Sequence, residues 1–251
     1  MAVETGRRSK RRTPLTRERV LRAAVRLADK DGLDALSMRR LGQQLGVEAM
    51  SLYKHVANKD EILDGMVDAV FAEIDLPDAG TDWRTAMRER AISARQALLR
   101  HPWAIGLMDS RAGPGPATLR HHDAVIGSLR RGGFSIQATA HAFSLVDSYI
   151  YGFVLQESSL PFRTTEELTQ VAEAMLPRAS AAGYPYITEM TVEVALQPGY
   201  TYAGEFEFGL DLILDALERM REERRELSTG ITSLRPAPAA AGTPTSRSRR
   251  R

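Results

Sequence analysis

The 251-residue chain contains no cysteine, which removes disulfides, thiolate nucleophiles and cysteine-ligated zinc in one step. It has no run of about 18 apolar residues, the length a membrane-spanning helix needs, and its basic N-terminus lacks the apolar stretch of a secretory signal. A soluble, cytoplasmic protein is therefore expected, with no membrane partner. A glycine-rich phosphate loop, a GxSxG elbow and paired carboxylates at a legible catalytic spacing are also missing. Enzymatic activity and a cofactor are accordingly not expected. Period-two alternation is almost absent, so the chain reads as all-α; only ITEMTVEVAL, at 187–196, alternates enough to look partly strand-like.

What the chain does have is charge, sorted by position. Residues 1–19 carry seven basic and two acidic groups, and residues 228–251 carry five arginines and no acid, a net +5 at either end. Residues 60–227 hold 15 basic and 26 acidic groups, a net −11. This distribution suits a protein whose N-terminal part approaches phosphate while its body is repelled from it. Residues 1–14, with five Lys and Arg side chains and few apolar ones, predict a disordered basic arm able to follow phosphates or enter a minor groove. Residues 228–251, rich in Ala, Pro, Ser and Arg, predict a disordered tail.

The most informative stretch is SMRRLGQQLGVEAMSLYKHVANK, from Ser37 to Lys59. Ser37 is an N-cap residue, and Met38, Leu41 and Leu45 follow on one helical face. Gly46 stops that helix, because glycine enters the left-handed region without a Cβ penalty, and Val47 plugs the corner. A second helix begins near Glu48 with Leu52 and Val56 turned inward, leaving Ala49, Met50, Ser51, Tyr53, Lys54 and His55 outside. The geometry is that of a helix-turn-helix, whose second helix enters the major groove of double-stranded DNA. Arg39, Arg40, Lys54 and Lys59 are placed to neutralise phosphates, and Tyr53 to donate its hydroxyl to one. Base reading falls to Ala49, Met50 and Ser51, with thymine methyls suited to the apolar pair and Lys54 able to donate to guanine.

In LSMRRLGQQLGV followed by SLYKHVANKDEIL the chain resembles the tetracycline-repressor (TetR) family of bacterial regulators along the whole of that signature. The resemblance implies a repressor that binds operator DNA as a homodimer and is released by a small-molecule effector. It marks Ser37, Arg39, Ser51, Tyr53, His55 and Lys59 as positions that touch DNA. It also implies a ligand cavity among the middle helices of the body, where HPWAIGL and the helix after Ser135 look like the family's C-terminal domain.

Around this head the elements follow in order. Thr16 caps a bracing helix carrying Val20, Leu21, Ala24, Val25, Leu27 and Ala28 up to Gly32. Asn58 and Glu61 form a capping box for a connector helix whose stripe includes Ile62, Met66, Val70 and Ile74 and which should end before Pro77. Asp82 caps a helix bearing Trp83, Met87, Ala91, Ala94 and Leu98; His101-Pro102 breaks it and starts a shorter helix through Met108. A further helix runs to Gly132-Gly133, and Ser135 caps a long one with Ile136, Ala140, Phe143, Ile150 and Val154 on one face. Another helix follows Thr165. The last spans 203–226. The expected organisation is a disordered arm at 1–14, a three-helix DNA-binding domain at 15–58, a connector at 59–76, a larger ligand-binding and dimerisation domain at 77–227 and a tail at 228–251.

Candidate effector residues are Trp103, Met108, His141, Phe143, Asp147 and Tyr151. Asp147 falls on an apolar stripe four residues after Phe143, and a buried carboxylate needs a cationic partner, such as Arg120 or a basic group on the effector. His101, His121, His122 and His141 raise a metal site, since tetracycline repressors hold their drug through a magnesium ion, but their spacings match no helical i, i+4 pair and no metal is expected. For dimerisation, Phe206, Leu210, Ile213, Leu214 and Leu217, continued by Met220, predict a four-helix bundle with the helix at 135–157, Gly209 allowing close approach of the partner. The competing class is a non-specific architectural DNA binder acting through its basic ends, for which the acidic helical body has no use.

Overall fold

The computed structural model describes residues 14–233 apart from 109 and 112, and among the described residues every regular element is helical. The basic arm and most of the arginine-rich tail lie outside them. The helices are α1 (Arg17–Asp31), α2 (Met38–Leu45), α3 (Ala49–Leu52), α4 (Lys59–Phe71), α5 (Trp83–Arg100), α6 (Pro116–Arg131), α7 (Ile136–Ser159), α8 (Thr165–Ala181), α9 (Pro185–Met190) and α10 (Tyr202–Ser233).

Local chemistry sets most of the boundaries. The Thr16, Ser37, Asn58, Asp82, Ser135 and Thr164 side chains each accept a hydrogen bond from a backbone N–H in the first turn of the following helix, satisfying donors that otherwise have no partner. Gly46 closes α2 at φ 69° and ψ 35°, the left-handed conformation. The Asn58 box is only half made: Glu61 N–H donates to Asn58 Oδ1 at 2.8 Å, but the Glu61 carboxylate turns to Ala57 N–H at 2.7 Å and Arg17 Nε at 2.9 Å instead of Asn58 N–H.

Several boundaries differ from the sequence expectation. The connector α4 ends at Phe71, because Glu73 and Ile74 tighten to i→i−3 bonds, although Ile74 is still buried. After His101 only one 3-10 turn forms, at Pro102–Ala104, and turns lead on to Met108. The segment read as partly strand-like is helical: α9 passes into a π turn at Thr191–Ala195, packed with α8. The last helix runs on to Ser233, since no proline interrupts it before Pro236.

Two cores result. In the head, α1, α2, α3 and the first half of α4 enclose Val20, Ala24, Leu36, Leu41, Leu52, Val56, Ile62 and Met66. In the body, α5 lies against α6, α7 and α10 over a core that includes Phe71, Met87, Leu98, Leu129, Ile150 and Phe206. The α7 stripe is rotated from the expected one. Ala138, Ala142, Val146 and Ile150 are buried, whereas Ile136 and Ala140 are exposed, because α7 has apolar residues on two sides and its period alone does not say which faces the core.

Candidate DNA-reading head and effector cavity

The second helix of the head is a single turn, Ala49–Leu52, fixed by Leu52 and Val56, both essentially buried. The corner is equally tight: a Cβ on Gly42 would lie 2.8 Å from Val47 O, so only glycine lets α2 and α3 approach this closely. On the outer side Met50 is 74% exposed and Tyr53 46%, Lys54, Lys59, Ser37 and Arg39 are exposed, and Ala49, Ser51 and His55 are half-buried. Arg40 departs from its expected role. Its Nη2 is 2.6 Å from Asp31 Oδ2, so this guanidinium ties α2 to the end of α1. Glu48, also exposed and with no side-chain capping bond, stands at the leading edge of α3, and in the sequence its charge is indistinguishable from an ordinary acidic helix start.

The head joins the body through polar contacts that the sequence did not single out. His101 Nδ1 lies 2.6 Å from Asp29 Oδ1 and its Nε2 3.2 Å from Glu73, while Trp103 Nε1 donates to Asp29 at 2.7 Å. Burial works to raise the Glu73 carboxyl, but hydrogen bonds from Arg100 and His101 outweigh it and leave its pKa lowered. Further along, Arg111 Nε donates to Asp64 Oδ1 at 2.5 Å, and its Nη2 to Asp60 at 3.2 Å. Thr118 donates to Asp68 Oδ1 from its backbone N–H at 2.8 Å and its hydroxyl at 3.0 Å. Asp60, Asp64 and Asp68 repeat every four residues along α4. The loop before α6 and the first turn of α6 are thus strapped along the connector.

A cavity of about 220 Å³ lies under that strap, lined by Val67, Met108, Pro114, Thr118 and His122 among others. Of the six expected effector residues only Met108 lines it. Phe143 is one ring away, edge-on to His122 at 5.3 Å. Trp103 belongs to the head–body joint, His141 is exposed on α7, and Tyr151 is half-buried beside the core. A larger cleft of about 580 Å³ opens between Leu99, Glu157, Phe162, Leu168 and Tyr202, and none of the six lines it.

Asp147 is buried, as expected, but its cation is Arg90 of α5, at 2.6 Å; Arg120 is exposed on α6. That contact is ionic without the alignment of a hydrogen bond, since Asp147 Oδ1 has no hydrogen-bond partner. The same guanidinium donates through Nε to His121 Nε2 at 3.1 Å and approaches it with Nη2 at 3.0 Å. Burial first, and then the adjacent Arg90 charge, push the His121 pKa down to about 3. Arg90 was legible in principle: it sits three residues after Met87 and four before Ala94, a charge on an apolar stripe. The four body histidines do not converge, and among the described residues no group of His, Asp and Glu is arranged to hold a metal ion.

The expected dimer stripe is corrected. Phe206, Leu210, Leu214 and Leu217 lie in the protomer's own core and Ile213 packs against it, because α10 turns this stripe toward α5 and α7. Gly209 serves the same internal contact: a Cβ there would fall 2.3 Å from the Tyr149 hydroxyl. The outward faces carry Leu145 and Leu155 on α7 and Phe208 and Leu212 on α10, each 46–64% exposed.

A helix-turn-helix head strapped through one connector to an all-helical body with its own cavity defines a regulator that carries reader and sensor on one chain. Residues 20–66 match the family described as bacterial regulatory proteins, tetR family, and residues 76–221 the tetracyclin repressor-like C-terminal domain. The chain belongs to the TetR family of transcriptional regulators and is a ligand-responsive, DNA-binding repressor by type. It is 35% identical over 237 residues to the HTH-type transcriptional repressor DrrR1 of Streptomyces coeruleorubidus, covering 88% of this chain and 85% of that one. Among solved structures it resembles ActR of Streptomyces coelicolor in complex with actinorhodin, with TM-score 0.68, 28% identity, and coverage of 83% of this chain and 99% of that one. It also resembles a TetR variant of Acinetobacter baumannii in complex with minocycline, with TM-score 0.60, 26% identity, and coverage of 82% and 95%.

Proposed function

We propose that this protein is a cytoplasmic homodimer that holds a two-fold operator through two copies of its head and leaves it when a small-molecule effector fills the cavity between α4 and α6. The observation that carries this reading is the strap. Arg111 and Thr118 bind the cavity wall to Asp60, Asp64 and Asp68 of α4, and α4 begins at Lys59 on the DNA side of the head. An effector that prefers a body in which α4 is displaced alters the spacing of the two heads by population shift; one that binds both states equally releases nothing. The ligand complexes of ActR and of the Acinetobacter repressor support an effector of that kind.

On DNA, Arg39, Lys54 and Lys59 neutralise phosphates, Ser37, Tyr53 and His55 position the head, and Ala49, Met50 and Ser51 face base edges. Arg40 remains with Asp31. The second copy docks on the outward faces of α7 and α10, where Ala140, Ser144, Ser148 and Gly152 recur every four residues and let helices approach, flanked by Leu145, Leu155, Phe208 and Leu212.

The test is fluorescence anisotropy on DNA from the protein's own upstream region, with sedimentation run in parallel. Tyr53→Ala combined with Lys59→Ala is expected to abolish specific binding with the fold intact, and Phe208→Arg to give a monomer that binds weakly. Loss of all binding on removal of 1–13 and 234–251, with both sets of point variants unaffected, would establish the architectural alternative.

A further inference from the structure

Between Ser37 and Lys59 the chain has a single acidic side chain, Glu48, against Arg39, Arg40, Lys54 and Lys59. Other carboxylates of the head have partners: Glu18 pairs with Arg22, Asp31 with Arg40 and Glu61 with Arg17, and Asp29 meets His101. Glu48 is exposed and, among the described residues, its carboxylate has neither a cation nor a hydrogen-bond donor. The usual reasons for an acid at a helix start do not apply. Its side chain caps nothing, although those of Thr16, Ser37 and Asn58 cap the other helices of the head, and a helix of one turn has little dipole to favour a negative charge.

The position of Glu48 gives this charge an effect on DNA. The second helix of a helix-turn-helix enters the major groove and contacts base edges with its N-terminal residues. Glu48 immediately precedes Ala49, its carbonyl accepts from Ser51 N–H at 2.9 Å, and Gln43, Glu48 and Ser51 line one groove between α2 and α3. On a surface that approaches phosphates, an added carboxylate opposes binding to every sequence alike, unless the duplex presents a donor to it. An ionised carboxylate can only accept. In the major groove thymine presents O4 and its methyl group, guanine N7 and O6, adenine an amino group beside the N7 acceptor, and cytosine an amino group alone. Cytosine is therefore the base that a carboxylate attracts best, and guanine the one it repels most.

We infer that Glu48 is a specificity-determining residue, whose carboxylate accepts from the N4 amino group of one cytosine in each operator half-site and excludes guanine from that position. This rests on the operator reading proposed for the head. Ala49 and Met50 offer apolar contacts, and a serine hydroxyl such as that of Ser51 can donate or accept. Glu48 adds a group that accepts only, and so sets a base that those three leave open. A wrong base at its position meets a charge instead of merely missing a contact, so the discrimination comes from repulsion as well as attraction.

The experiment uses the full chain to select duplexes randomised over one half-site, and then measures the selected operator by fluorescence anisotropy at fixed salt. The unsubstituted protein is expected to select cytosine at one position per half-site, and to bind about tenfold or more weakly when that C·G pair is reversed. Glu48→Ala and the isosteric Glu48→Gln should both lose most of that penalty while keeping the preferences at the other positions and the melting temperature. A penalty that survives in either variant, or Glu48→Ala binding every duplex more tightly by the same factor, would overturn the inference. A probe on the DNA side needs no variant. N4-methylcytosine at the selected position keeps the base pair but turns a methyl group into the major groove in place of the amino hydrogen, and it should weaken the unsubstituted protein to a similar degree; equal binding to the methylated and plain operators would also overturn it. If the unsubstituted protein selects no sequence, the proposed operator reading fails and the inference with it, whereas a sequence that both Glu48 variants select unchanged sinks the inference alone.

Discussion

The head closes over side chains that carry no charge, whereas the body buries an arginine in contact with both an aspartate and a histidine. In the head, Val20, Leu41, Leu52, Ile62 and Met66 satisfy one another by packing, and every ion pair, such as Arg40–Asp31 or Arg17–Glu61, lies at the rim. In the body, Arg90, Asp147 and His121 are surrounded by that second core. The head holds its shape by packing alone, whereas the body also holds a polar cluster in which His121 Nδ1 and Asp147 Oδ1 have no hydrogen-bond partner. Buried polar groups are where a small chemical change has a large energetic effect.

The sharpest way to break this contrast is Arg90→Leu. Removing one partner leaves Asp147 as an uncompensated buried charge, and a loss of about 3–5 kcal/mol is expected in urea unfolding. Changing Arg90 and Asp147 together to Leu should cost less than Arg90→Leu alone. A double variant no more stable than the single would mean that the pair is not coupled, and the body would then follow the same rule as the head.

A second, smaller effect is acid sensitivity. The His121 pKa falls from an ordinary 6.5 to about 3 on folding. Between those values the unfolded chain binds a proton that the folded chain refuses, so stability declines as pH is lowered through this window and is restored above it. From pH 6.5 to 5 the expected loss is about 1.5 kcal/mol, the slope approaching roughly 1.4 kcal/mol per pH unit only once the unfolded histidine is fully protonated. Equilibrium denaturation at several pH values should show this slope in the native sequence and not in His121→Phe. Equal slopes in the two would show that another group governs the acid limb.

The smallest effect concerns the joint between the regions. Asp29 is partly exposed, and solvent screens its contact with His101, so Asp29→Asn should destabilise by roughly 1 kcal/mol or less. Differential scanning calorimetry should show a shift under about 4 °C. A larger shift would mean that head and body melt as one unit held by this contact.

The head was legible because its signals are local. Ser37, Gly46 and Asn58 announce their helix ends through their own side chains or lack of one, and Leu52 and Val56 face inward by simple period. The body was harder to read for a physical reason. On α7 and α10 apolar residues occupy more than one face, so period identifies the stripe containing Phe206 and Leu210 but not what covers it, which is α5 and α7 of the same protomer. Asp147 was recognisable as a buried charge, yet Arg90 is 57 positions away, and no local pattern links residues on α5 and α7. The straps from Arg111 and Thr118 to α4 are of the same long-range kind.

The brevity of α3 has a consequence for how such a protein changes over generations. One helical turn does not persist on its own, so the shape of the reading surface is borrowed from Leu52, Val56 and the tight corner at Gly42. Met50, 74% exposed, contributes little to that support, and exposed positions of this sort usually shift stability by no more than about 0.5 kcal/mol. On the proposed assignment of base reading to this turn, a duplicated gene can exchange Met50 and acquire a new operator while its fold remains as it was.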